Sequence, residues 1–373
     1  MSALSSGETK GETFVINVGP QHPATHGVLR LKMTMDGEYI TRAEPVCGYI
    51  HRMHEKMGEN RTWAQFLPNT GRIDYLAAMA YSHAYVGAVE RAAGIAAPPR
   101  AEYIRVITSE LNRISSHLVW FGAFLLDLGG FTPLLYAFDD REKILDILEA
   151  LTGSRLTYSY YRFGGVCNDV DDDFIRGTRE FVAFMRPRMK MYHSLVTDNI
   201  ILRKRLIGIG VISAEMCRQY GATGPVIRGS GVGYDVRKSE PYSVYRDLDF
   251  DVPVYPEGDC MARYLVRMEE MVQSLRIIEQ ALDKLPAGPV MASGVPRTLK
   301  PPAGDCCFAV EAARGRLLVR IVSDNKEMPY RVRLRTPSFC NLSLYEEASQ
   351  GMMLPDALAL LGSLDLVIPD IDR

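Results

Sequence analysis

Apolar and polar residues alternate along residues 13–45. Phe14, Ile16 and Val18 share one face of this stretch, and Asp36-Gly37 separates two strand-like segments. A period of two residues is typical of half-buried strands, and Asp-Gly is a common hairpin turn. The pattern predicts a β-hairpin or small meander here.

The long middle part of the chain, residues 46–285, follows a helical period instead. Within it, residues 221–255 are rich in Gly, Asp, Arg and Tyr and lack that period, which predicts a long loop. Apolar residues recur every three to four positions, as expected for helices, over 73–91, 101–126, 171–207 and 258–285. We therefore expect a helical bundle interrupted by one loop.

The C-terminal part begins with a linker at residues 286–304 that contains five prolines. Short β-branched segments at 307–312, 316–323 and 330–335 predict strands, and a helix should begin near Leu354. With residues 1–12 as a flexible polar arm, the pattern predicts one domain over residues 13–373. Its fold class is α+β, mainly α, with small β elements at both ends.

Composition excludes several classes of protein. The net charge of −2 provides no broad cationic surface, so we expect no nucleic-acid partner. The most apolar stretch, residues 121–138, carries Asp127 and Pro133, so membrane association should be peripheral. The seven cysteines are scattered and none lies in a Cys-x-x-Cys pair, which predicts no metal bound by this chain and a reducing compartment.

A loop with two histidines is the first candidate for chemistry. His22 and His26 lie four residues apart in the segment Gly19-Pro-Gln-His-Pro-Ala-Thr-His-Gly27. Imidazoles titrate near neutral pH and pass protons, so a pair held by prolines is a candidate site. The alternative is that both are incidental residues of a surface loop.

The second candidate group is Arg72, Tyr75 and Asp127. On a helix, Arg72 and Tyr75 would share one face and could present a guanidinium and a phenol to one ligand. Asp127 follows two leucines, where an ionised carboxylate is costly unless it is paired. Nearby Glu55 and Asp74 are more simply explained as helix caps or ion pairs, for example between Glu55 and Arg61.

Several long motifs occur together in one order. The first is the two-histidine segment at residues 19–27. The others are His51-Arg52-x-x-Glu55-Lys56, Arg72-x-Asp74-Tyr75, residues 98–106 (PPRAEYIRV), residues 110–118 (ELNRISSHL) and residues 228–238 (RGSGVGYDVRK). In this arrangement the chain resembles the D-type subunit of NADH:quinone oxidoreductase, respiratory complex I, from about residue 13 to Arg373. The resemblance implies a fold like that of [NiFe]-hydrogenase large subunits.

The resemblance also implies roles for individual residues. His26 and Tyr75 match residues that hydrogen-bond the quinone headgroup, with His22 beside them, and Asp127 matches the carboxylate that pairs with the histidine. Arg72 and Arg52 match arginines near the terminal 4Fe-4S cluster, which a neighbouring subunit holds. Quinone would be the substrate, and this chain would bind no cofactor alone.

Partners and location follow from the same resemblance. It implies a cluster-bearing small subunit of the B type, subunits of the C type and ferredoxin-like I type, and a membrane subunit of the H type. The chain would then sit on the cytoplasmic face of a bacterial or archaeal membrane, or on the matrix face of an organelle. The electron donor, NADH or another, would be oxidised on other subunits.

Two other classes of function compete with this one. A group 4 [NiFe]-hydrogenase subunit would need four cysteines, whereas only Cys47-Gly48 remains, Ile50 replaces the second cysteine and residues 365–373 contain no sulfur. Cys47 is then expected to be a small buried apolar residue, and the former metal cavity could admit a quinone. The other alternative is a non-catalytic scaffold subunit.

The chain departs from its resembled family in two places. Thr157 stands where many members have a histidine, so we expect weaker proton coupling to the cluster. The linker at 286–304 is shorter than usual, which suggests different accessory partners.

Overall fold

The computed structural model describes residues 13–21 and 27–373. Its N-terminal sheet is antiparallel, in the order β1-β2-β3. The strands are β1 (Thr13–Val18), β2 (Arg30–Asp36) and β3 (Tyr39–Val46). The hairpin predicted at Asp36-Gly37 is confirmed, because Asp36 pairs with Tyr39 across the turn. Leu31, Met33 and Met35 bury one face of β2 against the bundle.

The middle of the chain is a helical bundle built around one long helix. The helices are α1 (His54–Glu59), α2 (Trp63–Thr70), α3 (Ala78–Ala93), α4 (Pro99–Asp127), α5 (Phe131–Thr152), α6 (Asp172–Tyr192), α7 (Ile200–Leu206), α8 (Ala214–Gln219), α9 (Pro225–Arg228), α10 (Val236–Ser239) and α11 (Cys260–Asp283). A short hairpin of β4 (Tyr161–Arg162) and β5 (Gly165–Val166) follows α5. Helix α4 packs against both α5 and α11 and is buried nearly all round, as the central helix of a bundle must be.

The predicted helices agree with this bundle in position but not always in extent. Helix α4 starts at Pro99 because proline is favoured at the first helical position. The helix predicted over 171–207 is instead divided into α6, a single π-helical turn at His193–Thr197, and α7. The segment 221–255 contains only the short helices α9 and α10 and a 3-10 turn at Tyr245–Asp247.

The C-terminal part is an antiparallel sheet followed by short helices. The elements are β6 (Gly304–Ala312), β7 (Gly315–Ser323), β8 (Arg331–Arg335), α12 (Pro337–Ser343), α13 (Tyr345–Ala348), α14 (Leu354–Leu364) and α15 (Ile368–Asp372). The turn between β6 and β7 touches the loop at Gly224, where an added Cβ would lie 2.3 Å from the Arg314 carbonyl oxygen. All residues of α15 are buried, so this last helix is part of the core.

The fold class, mainly α with small sheets near both ends, is as predicted. Over residues 13–21 and 27–373, the helices lack the combination of length and apolarity that crossing a bilayer requires.

Candidate functional site

Tyr75 lies in a turn, residues 71–77, between α2 and α3. The prediction of a helix starting at residue 73 is therefore wrong, and so is the argument that Arg72 and Tyr75 share a helix face. The Asp74 side chain explains the difference, since its Oδ1 accepts hydrogen bonds from Leu76 N and Ala77 N, both at 3.1 Å. A carboxylate that binds these amides stabilises a turn ahead of α3 and delays the start of the helix.

The buried side chain of Arg314 stabilises this turn. Arg314 Nη1 donates to Asp74 Oδ2 at 3.0 Å and to Ser116 Oγ at 2.9 Å, while Arg314 Nη2 donates to Asp365 Oδ1 at 3.2 Å. Asp74 and Arg314 are both 0% exposed. Charge-assisted hydrogen bonds in a dry interior are strong and directional, so the backbone that carries Tyr75 has little freedom.

The Tyr75 phenol is half-buried and keeps its proton. Burial is the main cause that raises its pKa, and the adjacent Asp74 carboxylate raises it further. Within the part of the chain that the structure describes, the Tyr75 hydroxyl makes no hydrogen bond. Its hydroxyl is therefore a neutral donor available to a ligand.

The predicted histidines, His22 and His26, lie outside the described residues, but the end of their loop is placed. Gly27 packs against α15, since an added Cβ would lie 2.7 Å from Ile368 Cγ1. Asp127 Oδ2 lies 3.9 Å from the corresponding Cβ position of Gly362 in α14. The loop end and Asp127 thus both border the C-terminal segment 362–368. The same segment contains Asp365, which binds Arg314 together with Asp74.

Asp127 is the last residue of α4 and is exposed. The expectation that it is buried among leucines is wrong, because the residue is exposed at the end of the helix. Its preceding residue Leu126 is likewise exposed, at 43%.

The two arginines of the second candidate group are neighbours. Arg52 Nη2 donates to the Arg72 carbonyl oxygen at 2.8 Å, and Arg72 Nη1 donates to the Pro68 carbonyl oxygen at 2.6 Å. Both residues are exposed, and among residues 13–21 and 27–373 neither forms an ion pair with a carboxylate. They present two uncompensated positive charges on one surface.

Beneath them lies His54, which is 2% exposed and has no hydrogen-bond partner for either ring nitrogen in the described chain. Burial, then the positive charge of Arg52, His51 and Arg72, lowers the pKa of His54 to about 4. The imidazole is therefore neutral at physiological pH. Thr157 lies near the start of the 71–77 turn, because its carbonyl carbon is 3.7 Å from a Cβ added to Gly71.

The loop that would carry the first cysteine pair of a nickel site is fastened to the C-terminal helix. The Asp372 carboxylate accepts hydrogen bonds from Gly48 N at 2.7 Å and Ile50 N at 2.9 Å, and His51 Nδ1 lies 2.5 Å from the Asp372 carbonyl oxygen. Asp372 thus ties the loop at residues 48–51 to α15.

Cys47 is exposed, so the prediction that it is buried is wrong. Its pKa is nevertheless raised to about 11 by desolvation of the sulfur and by the Asp372 carboxylate. A single cysteine at this loop cannot supply the four thiolates that hold nickel and iron in a hydrogenase. The described residues contain no group of three His, Cys, Asp or Glu side chains that could hold a metal ion.

The simpler interpretation of the charged residues near Tyr75 is confirmed in part. Asp74 is an ion-pair partner, as expected, but it does not cap α3, because its carboxylate binds amides in the turn before that helix. Glu55 forms ion pairs with Arg331, Arg333 and Arg373 rather than with Arg61. Its partners lie on β8 and at the C-terminus, so far along the chain that no local sequence pattern predicts them.

Known proteins match nearly the whole chain. The family model for the respiratory-chain NADH dehydrogenase 49 Kd subunit matches residues 127–300 and 293–373. The chain belongs to this family. It is a subunit of NADH-quinone oxidoreductase, of the D type.

Individual relatives support the family at high identity. The chain is 73% identical to the NADH-quinone oxidoreductase D-type subunit 2 of Opitutus terrae, over 100% of this chain and 93% of that protein. It is 67% identical to the D-type subunit of Desulfotalea psychrophila, over 97% of each chain. It is 49% identical to the D-type subunit of Geobacillus thermodenitrificans, over 97% of this chain and 99% of that protein.

Sequence reasoning did not find three buried charged residues of this oxidoreductase subunit: Arg314, Asp365 and Asp370. A signal was present, because Asp365 and Asp370 interrupt an otherwise mostly apolar C-terminal stretch. A carboxylate among apolar residues near a chain end predicts a buried partner elsewhere, which in this fold is Arg314 for Asp365.

Proposed function

We propose that this chain forms the quinone-reduction site of NADH-quinone oxidoreductase, with Tyr75 and His26 as proton donors to the quinone headgroup. The observation that carries the proposal is the Tyr75 phenol, which keeps its proton, lacks a protein partner in the described chain and stands on a rigid turn. Reduction of a quinone to a quinol consumes two electrons and two protons. A phenol and an imidazole are suitable general acids.

Asp127 is assigned a positioning role in the same proposal. A carboxylate beside the His26 imidazole would orient the ring and favour its protonated form. Asp127 lies next to Gly362 of α14, and Gly27, which follows His26, packs against Ile368 of α15, so both border one C-terminal segment, which supports this assignment. His22, in the same loop, would line the headgroup site.

Electrons would arrive from a 4Fe-4S cluster on a B-type partner subunit that faces Arg52 and Arg72. Their exposed and uncompensated charges support this orientation, since positive charge beside a cluster raises its potential and favours electron arrival. Subunits of the C, I and H types complete the proposed surroundings. The chain would belong to the peripheral arm on the cytoplasmic or matrix face of the membrane.

The proposal is tested by the variant His26→Ala in the intact complex. We expect electron transfer from NADH to quinone to fall about 100-fold, because one general acid is removed, while transfer to an artificial acceptor such as ferricyanide is unchanged. His193→Ala, a partly exposed histidine in the π-helical turn, is the matched control. Unchanged quinone reduction in an assembled His26→Ala complex would contradict the assignment.

Arg72→Met tests the orientation toward the cluster. Loss of the positive charge should lower the midpoint potential of the partner's terminal cluster, on the order of 50 mV, equivalent to about 1 kcal/mol for one electron. The measurement is a redox titration of the cluster by electron paramagnetic resonance. Arg297→Met, an exposed arginine in the proline-rich linker, should leave the potential unchanged. An equal effect of both variants would contradict a specific role for Arg72.

A further inference from the structure

Two buried side chains bind residues 362–365, the segment at which α14 ends. The Trp120 indole of α4 donates from Nε1 to the Gly362 carbonyl oxygen at 2.8 Å. Arg267 of α11 places its Nε 3.8 Å from Asp365 Oδ2, within ion-pair distance. Trp120 is 2% exposed and Arg267 is 0% exposed. Polar contacts in a dry interior are strong, so both side chains restrict the segment.

Trp120 and Arg267 also contact each other. The guanidinium carbon of Arg267 lies 4.4 Å from the centroid of the Trp120 ring, and Arg267 Nη1 donates to the Arg263 carbonyl oxygen at 3.1 Å. A cation stacked on an indole is held more strongly when both groups are shielded from water. Burial lowers the pKa of Arg267 to about 10, so its guanidinium is charged at neutral pH. We call these two residues the Trp120–Arg267 pair.

Asp365 has a backbone conformation that needs such support. Its φ is 54°, in the left-handed region that few residues other than glycine adopt. A residue in this region keeps its conformation only when the contacts around it are sufficient. Ser363 provides one set of contacts, because its Oγ accepts from Arg263 Nε at 2.9 Å and donates to the Leu360 carbonyl oxygen at 2.7 Å. Arg267 provides another through the Asp365 carboxylate.

A continuous series of contacts connects Arg267 with the turn that carries Tyr75. Asp365 Oδ2 lies beside Arg267, and Asp365 Oδ1 accepts from Arg314 Nη2 at 3.2 Å. Arg314 Nη1 donates to Asp74 Oδ2 at 3.0 Å, and Asp74 Oδ1 binds the two backbone amides that follow Tyr75. Positive and negative side chains alternate along this series, so each one balances the next.

Loss of Arg267 would change this balance. Within the described residues, Asp365 pairs with two cations, Arg267 and Arg314. Without Arg267, Asp365 would compete with Asp74 for the Arg314 guanidinium. Because a buried carboxylate without a cation is costly, Asp365 would draw that guanidinium toward itself. Asp74 would then hold the 71–77 turn less tightly.

The same segment borders Asp127. Trp120 binds the carbonyl oxygen of Gly362, and a Cβ added to Gly362 would lie 3.9 Å from Asp127 Oδ2. Residues 362–365 therefore reach Asp127 at one end and, through their ion pair with an arginine, the Tyr75 turn at the other. A side chain that holds this segment acts on both parts of the proposed site.

We propose that Trp120 and Arg267 are positioning residues of the quinone-reduction site, which act through residues 362–365 and Arg314 on the turn that carries Tyr75. This inference rests on the proposed function of Tyr75. The Trp120–Arg267 pair does not act on the quinone itself. It keeps the backbone of the turn in one arrangement while the phenol donates its proton.

Arg267→Met in the intact complex tests the role of the cation. We expect kcat for quinone reduction to fall about 10-fold, because a small displacement of the proton donor slows the reaction strongly. The KM for quinone should change little, and transfer to ferricyanide should be unchanged. Arg267→Lys keeps the charge and should recover part of the lost rate. Arg276→Met, on the same helix, is the matched control and should not change turnover, because it removes only exposed ion pairs with Asp249 and Asp251.

A double-mutant cycle with Tyr75→Phe separates a positioning role from a general loss of stability. If Arg267 acts through the phenol, Arg267→Met should cause no further loss of kcat once Tyr75 is replaced. A further loss by the same factor in the double variant would overturn the proposal, and so would an unchanged kcat in Arg267→Met alone. Full activity of Tyr75→Phe alone would instead refute the proposed function.

Trp120→Phe is a second, milder variant. It keeps an aromatic ring beside Arg267 and loses the hydrogen bond to Gly362, so kcat should fall by less than in Arg267→Met. Trp63→Phe is the matched control, because Trp63 is also buried and its indole also donates to a backbone carbonyl oxygen, at 3.1 Å. An equal loss in the two tryptophan variants would overturn the proposal, as would failure of both Arg267→Met and Trp120→Phe to assemble.

Discussion

Tyr75→Phe should lower quinone reduction by the assembled complex about 100-fold, because phenylalanine keeps the ring and removes the general acid. The effect should fall mainly on kcat, with a small change in KM. The phenol makes no hydrogen bond within the described chain, so its removal breaks no contact of the folded chain. A group that acts in the transition state changes kcat more than substrate binding.

The measurement compares NADH-to-quinone and NADH-to-ferricyanide electron transfer in the same purified complex. Transfer to ferricyanide should be unaffected, since it draws electrons before the quinone site. Tyr39→Phe, at a 56% exposed position in β3, is the matched control and should behave as the unmodified complex. Full quinone turnover in Tyr75→Phe would favour the alternative of a scaffold subunit.

Features that local chemistry determines were predicted correctly from the sequence. The β2–β3 hairpin follows from alternating residues around Asp36-Gly37, and the observed register places Asp36 opposite Tyr39. The C-terminal strands were found in the same way, because β-branched runs between turn residues are readable over a few positions. A helix was predicted over 101–126 from its apolar period, and α4 is observed at Pro99–Asp127.

The surroundings of Tyr75 could not be predicted, because they depend on residues far apart in the chain. Arg314 is 240 residues from Asp74 and 51 residues from Asp365, and no local pattern pairs them. The helical period around residue 73 was real, but the Asp74 side chain competed for the backbone amides and changed the helix into a turn. Tyr75 itself was identified from its residue type and family motif, not from its geometry.

The exposure of Asp127 was mispredicted for a related reason. Flanking leucines indicated a buried site, whereas the end of α4 turns both Leu126 and Asp127 toward the surface. In an assembly, such a surface is where a partner or a ligand would be expected. Neighbouring apolar residues in the sequence therefore say little about burial at a helix end.

Arg314→Met should destabilise the folded chain by about 3–5 kcal/mol, because it leaves the buried Asp74 carboxylate without its cation and Asp365 with only Arg267, at 3.8 Å. Asp74, which is 0% exposed, and Asp365, which is 5% exposed, would both lose their contacts with the guanidinium. The expected result is a much lower yield of assembled complex and a lower thermal unfolding midpoint. The control is Arg320→Met, which removes an exposed ion pair with Asp305 and should have no measurable effect.

Arg314→Lys separates charge from geometry at the same position. Lysine keeps the positive charge but lacks the fork that reaches Asp74, Ser116 and Asp365 together, so stability should be partly retained. Quinone reduction should nevertheless fall, because Asp74 would no longer hold the Tyr75 turn in one arrangement. If Arg314→Lys were as active as the unmodified complex, packing alone would hold the turn in place. The hydrogen bonds of Arg314 to Asp74 and Asp365 would then have no role in positioning the Tyr75 phenol.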